Sequence, residues 1–240
     1  MIKSAHVANL FLNLLFPQKP YCLICSKKLV ESSLHLCQQC RDKIIPLSGP
    51  LCDKCGKPLQ IQRKNMICQD CQEDYHAFVQ ARSYGHYSGI LKQLINEFKY
   101  HGKPQIAEVL GNLMFDVLRE LPWPIFDYIV PIPLHAARQR ERGFNQAYLL
   151  SKVISRQSGI PIFCGLIRIK PTEHQTLLDK TLRKENLKGA FKAVNTHKIQ
   201  DKTLLLIDDV YTTGATSGEC SKCLVKAGAK AVYVLTCARG

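Results

Sequence analysis

The chain has 240 residues, 46% of them hydrophobic, with a formal net charge of +14 and a sequence pI near 9.3. That length holds one substantial core plus a smaller module, and the composition is that of an ordinary soluble globular protein rather than a membrane-spanning or low-complexity chain. The charge suits a polyanion or a phosphate-rich ligand, with a plain solvated basic surface as the alternative.

The opening stretch, MIKSAHVANLFLNLLFPQKP, holds an apolar run from Val7 to Phe16 that is too short to span a bilayer. It has no strongly basic leader and no small-residue cleavage site, so residues 1–19 read as an amphipathic arm rather than a signal peptide. The arm is expected to dock on its own protein, with peripheral membrane contact as the lesser alternative. No later segment has transmembrane length, so a cytoplasmic protein is expected.

Residues 20–76 are organised by cysteine. Eight of the 12 cysteines form four C-x-x-C pairs: Cys22/Cys25, Cys37/Cys40, Cys52/Cys55 and Cys68/Cys71. Each such turn presents two thiolates to one tetrahedral ion, and a second turn closes the site. Disulfides fit poorly with a chain that lacks a signal peptide, and a redox C-x-x-C needs no repetition. Two successive zinc ribbons are expected, Cys22, Cys25, Cys37 and Cys40 for one Zn²⁺ and Cys52, Cys55, Cys68 and Cys71 for the other. A cross-braced pairing stays open at this point. Four cysteines leave no open coordination position, so the metal is structural and supplies folding free energy to a module poor in large apolar side chains. Cys220 and Cys223 are also spaced C-x-x-C. They lie in an expected helix with no partner pair and read as buried small hydrophobes, as do Cys164 and Cys237 in expected strands.

From residue 77 to 240 the pattern changes to alternating helices and strands. Leu91, Leu94, Ile95 and Phe98 recur at helical spacing up to Gly102 and Pro104. A second helix runs through Ile106, Leu110, Leu113 and Val117 until LPWP breaks it. FDYIVPIP reads as a buried strand, NQAYLLSKVISRQSG as a helix and IPIFCGLIRI as a strand. Residues 171–190 are polar and read as a loop. KTLLLIDDV, SGECSKCLVKAGA and KAVYVLTCA follow as strand, helix and strand. This order implies an α/β domain with a mainly parallel sheet flanked by helices.

The stretch LLLIDDVYTTGAT carries the chemistry. In parallel α/β sheets, ligands bind beyond the carboxyl ends of the strands, where Asp208 and Asp209 are expected. The following Thr212, Thr213, Gly214, Ala215 and Thr216 open a helix whose unpaired backbone N–H groups suit an anion. Carboxylates accept hydrogen bonds from hydroxyls, so acid pair plus loop suits a ribose 5-phosphate. An ordinary capped strand end is the alternative. The acidic Mg²⁺ site of a P-loop ATPase is excluded, because no G-x-x-x-x-G-K-[ST] occurs.

LLLIDDVYTTGAT also resembles the phosphoribosyl-pyrophosphate signature of type I phosphoribosyltransferases. RQRERGFNQA (138–147), FKYHG (98–102), VPIPLH (130–135) and the R-x-x-N-x-x-G-x-F pattern of Arg183, Asn186, Gly189 and Phe191 resemble the ComF/GntX competence family, as does the double zinc ribbon. The resemblance implies a phosphoribosyltransferase fold behind a zinc module. Asp208 and Asp209 would bind ribose hydroxyls, and Thr212 to Thr216 the 5-phosphate. Arg138, Arg140 and Arg142, with Lys99 and Arg183 as weaker candidates, would meet pyrophosphate or DNA phosphates, since guanidinium groups pair well with phosphate oxygens. A solvated basic loop is the alternative for the three arginines. Mg²⁺ would arrive chelated by phosphoribosyl pyrophosphate. The family link further implies assistance in single-stranded DNA uptake during natural transformation, with a competence helicase or DNA-uptake protein as partner. The 23 basic and 13 acidic residues between 81 and 240 suit a nucleic-acid backbone. An active transferase on an unidentified nucleobase is the other function expected. No acceptor site is legible, and His135, His174 and Tyr211 lie near the expected loops.

Overall fold

The computed structural model describes residues 21–29, 35–60, 66–170 and 185–240. The expected N-terminal arm, His174 and Arg183 lie outside them. Two compact units divide between Lys43 and Ile44. The expected limit at residue 76–77 marks where the cysteine spacing stops, whereas packing groups residues 44–240 into one unit.

The first unit contains a cysteine turn and helix α1 (Gln38–Arg41). In the turn, Cys22 N donates to the Lys27 carbonyl, Ser26 N donates to the Cys22 carbonyl, and Tyr21 bridges Lys28. The second unit begins with the same device thirty residues on. Cys52 N donates to Lys57, Gly56 N to Cys52, and Leu51 bridges Pro58, with helix α2 (Gln69–Glu73) following Cys68. The residue after the second cysteine is left-handed in both turns, Ser26 at φ +58° and Gly56 at φ +69°. Gly56 meets that requirement without a Cβ penalty, and its bare Cα lets the turn abut the Ala81 carbonyl.

The second unit continues with β1 (Ala81–His86), α3 (Gly89–Tyr100), α4 (Ile106–Glu120), β2 (Tyr128–Pro131), α5 (Ala136–Arg142) and α6 (Gln146–Ser158). Then come β3 (Leu166–Arg168), β4 (Phe191–Ala193), β5 (Thr203–Tyr211), α7 (Ala215–Lys226) and β6 (Ala231–Arg239). The main sheet has the order β1-β6-β5-β2, and every pairing is parallel. Leu204 to Ile207 are fully buried because β5 is covered on both faces. Alternation divides the sheet's side chains. Leu204, Leu206, Val232 and Val234 share a core with Leu224 and Cys220 of α7 and with Phe78. On the other face Cys237 touches Met114 of α4, which packs with α6.

Two expectations change, and two elements were not expected. IPIFCGLIRI is not one strand of the sheet. Ile162 makes a single parallel bridge to Ile129, and β3 then leaves to pair antiparallel with β4. Cys164, expected in a core strand, is exposed between them. The segment Ala136–Arg142, to which the sequence assigned no element, is a helix, capped by the His135 ring, which accepts a bond from Ala137 N. Strand β1 was not expected, since its ARSYGH sequence buries only alternate residues and has no apolar run.

Helices α4 and α6 touch at Gly111, where an added Cβ would lie 2.6 Å from Val153 Cβ. Helix propensity favours Gly111→Ala by up to about 1 kcal/mol, but overpacking costs about 1–3 kcal/mol. The variant is expected to be less stable than wild type in denaturant unfolding, despite being the better helix former.

Candidate functional site

In each cysteine cluster the four sulfurs lie within 4.8 Å of one another: Cys22, Cys25, Cys37 and Cys40, and separately Cys52, Cys55, Cys68 and Cys71. The pairs combine in sequence order, so the cross-braced arrangement is not the one formed. Cys25–Cys37 and Cys55–Cys68 are each 3.6 Å apart. Four sulfurs bound tetrahedrally at about 2.3 Å from zinc lie about 3.8 Å from each other, so both clusters fit the ion. Thiol acidity fits too. Burial opposes ionisation, yet backbone donors such as Cys68 N on Cys52 Sγ hold Cys52 down at about 7, and the equivalent donors hold Cys22 at about 6. Burial, with neighbouring thiols adding to it, pushes Cys40 up to about 12. A fully ionised cluster therefore needs a cation at its centre.

The second candidate site lies at the C-terminal end of β5. Neighbouring strand residues point to opposite faces, so the two acids diverge. Asp209 faces α3 and pairs with Lys99 at 3.0 Å, with both side chains largely buried. Burial would lower the Lys99 ammonium, but the charge and hydrogen bond of Asp209, with Asp208 and Tyr87 adding to them, together raise the group. Asp208 faces the side of Cys220 and Arg168. Burial, followed by the Asp209 charge, pushes its carboxyl up to about 7. Both acids line one cavity of about 250 Å³ with Lys99, Arg138, Arg142 and Arg168. Thr212 and Thr216, at the start of α7, close the same cavity.

Two sequence motifs interlock to build its wall. The Phe98 and Phe144 rings meet at a tilt with centroids 5.5 Å apart, and Gln146 donates to the Phe98 carbonyl. Tyr100 lies 5.3 Å beneath the Arg142 guanidinium, which also reaches Gln146 Oε1. Asn145 caps α6 and donates to the Ile132 carbonyl at the end of β2. FKYHG and RGFNQ are thus largely a joint that fixes α5 over the strand ends.

Arg138 and Arg142 are one helical turn apart and share the cavity face. Arg140, half a turn round, is exposed and outside it. Thr213 and Ala215 engage each other instead, Ala215 N donating to the Thr213 hydroxyl. Gly214 caps α7 at φ +78°, a conformation that suits only glycine here because Tyr211 Oη would lie 2.2 Å from a Cβ. Tyr211 is buried beneath the loop. Arg168 was missed by the sequence reading. Its signal would have been an arginine inside an apolar strand, and only the departure of β3 from the sheet brings it to Asp208.

Fold and site define a zinc-ribbon protein with a parallel α/β domain. The comparisons agree on where it belongs. Residues 11–72 match the double zinc ribbon domain family. The chain is 34% identical to competence protein F of Haemophilus influenzae, covering 91% of this chain and 96% of that protein. It is 30% identical to competence protein ComFC of Bacillus subtilis (88% and 90%) and 30% identical to the DNA utilization protein YhgH of Escherichia coli (89% and 94%). The chain belongs to the ComF family of competence proteins. Among solved structures it is similar to a glutamine phosphoribosylpyrophosphate amidotransferase from B. subtilis, at 21% identity and a TM-score of 0.41. That likeness covers 59% of this chain and 30% of the other. It is also similar to an adenine phosphoribosyltransferase from Leishmania donovani, at 19% identity and a TM-score of 0.36, covering 57% of this chain and 54% of that one. At that level the likeness is weak, and the reading of the site rests on its own geometry.

Removing Lys99 would strand the buried Asp209 charge. Lys99→Met is expected to lower stability by about 3–5 kcal/mol, the cost of breaking one side of a buried pair. An unchanged denaturation midpoint would show that the pair contributes nothing.

Proposed function

We propose that the cavity binds a ribose 5-phosphate carrying a diphosphate, phosphoribosyl pyrophosphate or a close analogue, in a protein that handles single-stranded DNA during competence. The observation that carries the reading is the convergence in one cavity of an acid pair, three arginines and the N-terminal turn of α7. Asp208 accepts ribose hydroxyls, while Asp209 holds Lys99 at the rim. The amides of the Thr212–Thr216 loop other than that of Ala215 take the 5-phosphate, as a helix N-terminus favours anions. Arg138, Arg142 and Arg168 take the diphosphate. Mg²⁺ bound to that diphosphate would neutralise its charge and needs few protein ligands, which fits a site whose second carboxylate is already paired. The DNA role is supported by the names of the relatives and by the basic surface. It calls for a cytoplasmic location and for a helicase or DNA-uptake protein as partner.

Calorimetry with phosphoribosyl pyrophosphate and Mg²⁺ tests the site. Asp208→Asn is expected to weaken binding about tenfold or more, the effect of losing a hydrogen bond to a charged group. Unchanged affinity removes Asp208 from the site, and no binding by wild type rejects the reading. Release of pyrophosphate with any nucleobase would make the protein a transferase.

The raised Asp208 group gives a sign to the pH dependence. Its neutral form is favoured on folding, so the associated stability is complete below about pH 4 and is lost as pH rises through about 7. The ligand needs the ionised form as acceptor, so affinity is expected to fall as pH drops below about 7. Asp208→Asn should flatten both dependences in parallel titrations of melting temperature and affinity.

Single-stranded DNA binding is expected to weaken steeply between about 50 and 200 mM salt, because neutralising phosphates releases counterions. A salt-independent affinity would point away from backbone contacts.

A further inference from the structure

The second cysteine cluster does not stand apart from the α/β domain. Cys52, Cys55 and Cys68 are buried in the same core as Phe78, Tyr211 and Cys220. Its first turn is bonded to β1 throughout: Ala81 N donates to the Lys54 carbonyl, and Arg82 Nη1 reaches the carbonyls of Cys52 and Asp53. Two further contacts lead from this cluster to the loop under Thr212–Thr216.

The first runs through Arg239. This residue is almost fully buried at the end of β6, yet it has no role in the cavity. Its Nη1 donates to the Cys55 carbonyl at 2.7 Å, and its guanidinium lies 4.7 Å over the Tyr211 ring. Tyr211 in turn places its hydroxyl directly against Gly214. The second runs through His76, five residues after Cys71. Its buried ring stacks on Phe78 at 4.8 Å, and Phe78 meets Tyr211 edge-on at 6.2 Å. His76 also packs against α7: a Cβ added at Gly214 would lie 3.1 Å from its Cε1, and one added at Gly218 would lie 3.3 Å from its Nδ1. Gly214, the loop's left-handed cap, is thus held from below by two side chains, both tied to the second cluster.

We propose that the Cys52–Cys55–Cys68–Cys71 metal centre is a structural part of the ribose-phosphate site, with Arg239, Tyr211 and His76 as positioning residues that set the loop at the N-terminus of α7. This rests on the reading of Thr212 to Thr216 as the phosphate loop. The physical reason is local. The amides of a short loop bind an anion well only when they already converge, and a glycine cap is the point most free to move. A buried guanidinium bonded to a main-chain carbonyl next to a metal ligand ties that point to a rigid centre. Loss of the ion would free the Cys55 carbonyl, then Arg239, then Tyr211.

The test uses the full chain with zinc bound, and three variants: Arg239→Met, Arg239→Lys and Cys71→Ser. Hydrogen exchange of the amides at 212–218 is read first, without ligand. Arg239→Met is expected to retain wild-type zinc content, leave exchange in α6 unchanged and speed exchange at 212–218 about tenfold, the scale of one lost buried hydrogen bond. Arg239→Lys, which keeps a cation and a donor, should restore most of the protection. Cys71→Ser should lose one zinc per chain and speed the same amides. Phosphoribosyl pyrophosphate affinity should fall by a similar factor in Arg239→Met and Cys71→Ser. Unchanged exchange at 212–218 in both variants overturns the proposal whether or not the ligand binds. Faster exchange there, with no ligand binding even by wild type, sustains the mechanical link and rejects only the ribose-phosphate reading.

Discussion

Two carboxylates side by side on the central strand of a sheet buried on both faces set the terms for everything around them. Ionising both in so poorly solvated a place is costly unless cations are brought close. The strand's alternation sends Asp209 to α3, where it pairs with Lys99, and leaves Asp208 on the other face with a carboxyl raised to about 7. Four elements far apart in sequence then supply the charge balance and the walls: α3, α5, β3 and the start of α7. The interlock of Phe98, Tyr100 and Lys99 with Arg142, Phe144 and Gln146 is what makes this convergence rigid. Its aromatic contacts and buried amide bond hold the Arg142 guanidinium in place over Tyr100.

The cysteine clusters show how one local device can serve two settings. The same turn, with the same backbone bonds and the same left-handed residue, occurs at Cys22–Ser26 and Cys52–Gly56. The later copy packs against β1 and into the core beneath Tyr211, and its glycine is what permits the close approach to Ala81. Zinc ligation there stabilises a piece of the larger core as well as its own small loop. That is an economical arrangement in a segment with so few large apolar side chains.

Much of the fold was legible because it is written in near neighbours. The helical spacing of Leu91, Leu94, Ile95 and Phe98, and the apolar runs after Asp127 and before Asp208, announce α3, β2 and β5. The edge strand β1 escaped because alternate burial of ARSYGH leaves no apolar run. The strand expected over residues 160–169 divided because β3 found a partner in β4, a pairing across more than twenty residues that no local pattern encodes. Helix α5 was hidden by its charge, since AARQRER has no apolar face to reveal it.

The sequence by itself determined the order of chemistry: which cysteines stand at metal spacing, and that an acid pair runs into a threonine-glycine turn before a helix. Those features depend on residues a few positions apart, so spacing alone expresses them. Only the tertiary structure decided that Lys99 is the partner of Asp209, that Arg140 turns away while Arg168 turns in, and that the second cysteine cluster sits under the Thr212–Thr216 loop. Each of those outcomes depends on which buried surfaces meet, and burial is settled by the packing of distant segments rather than by the residues on either side.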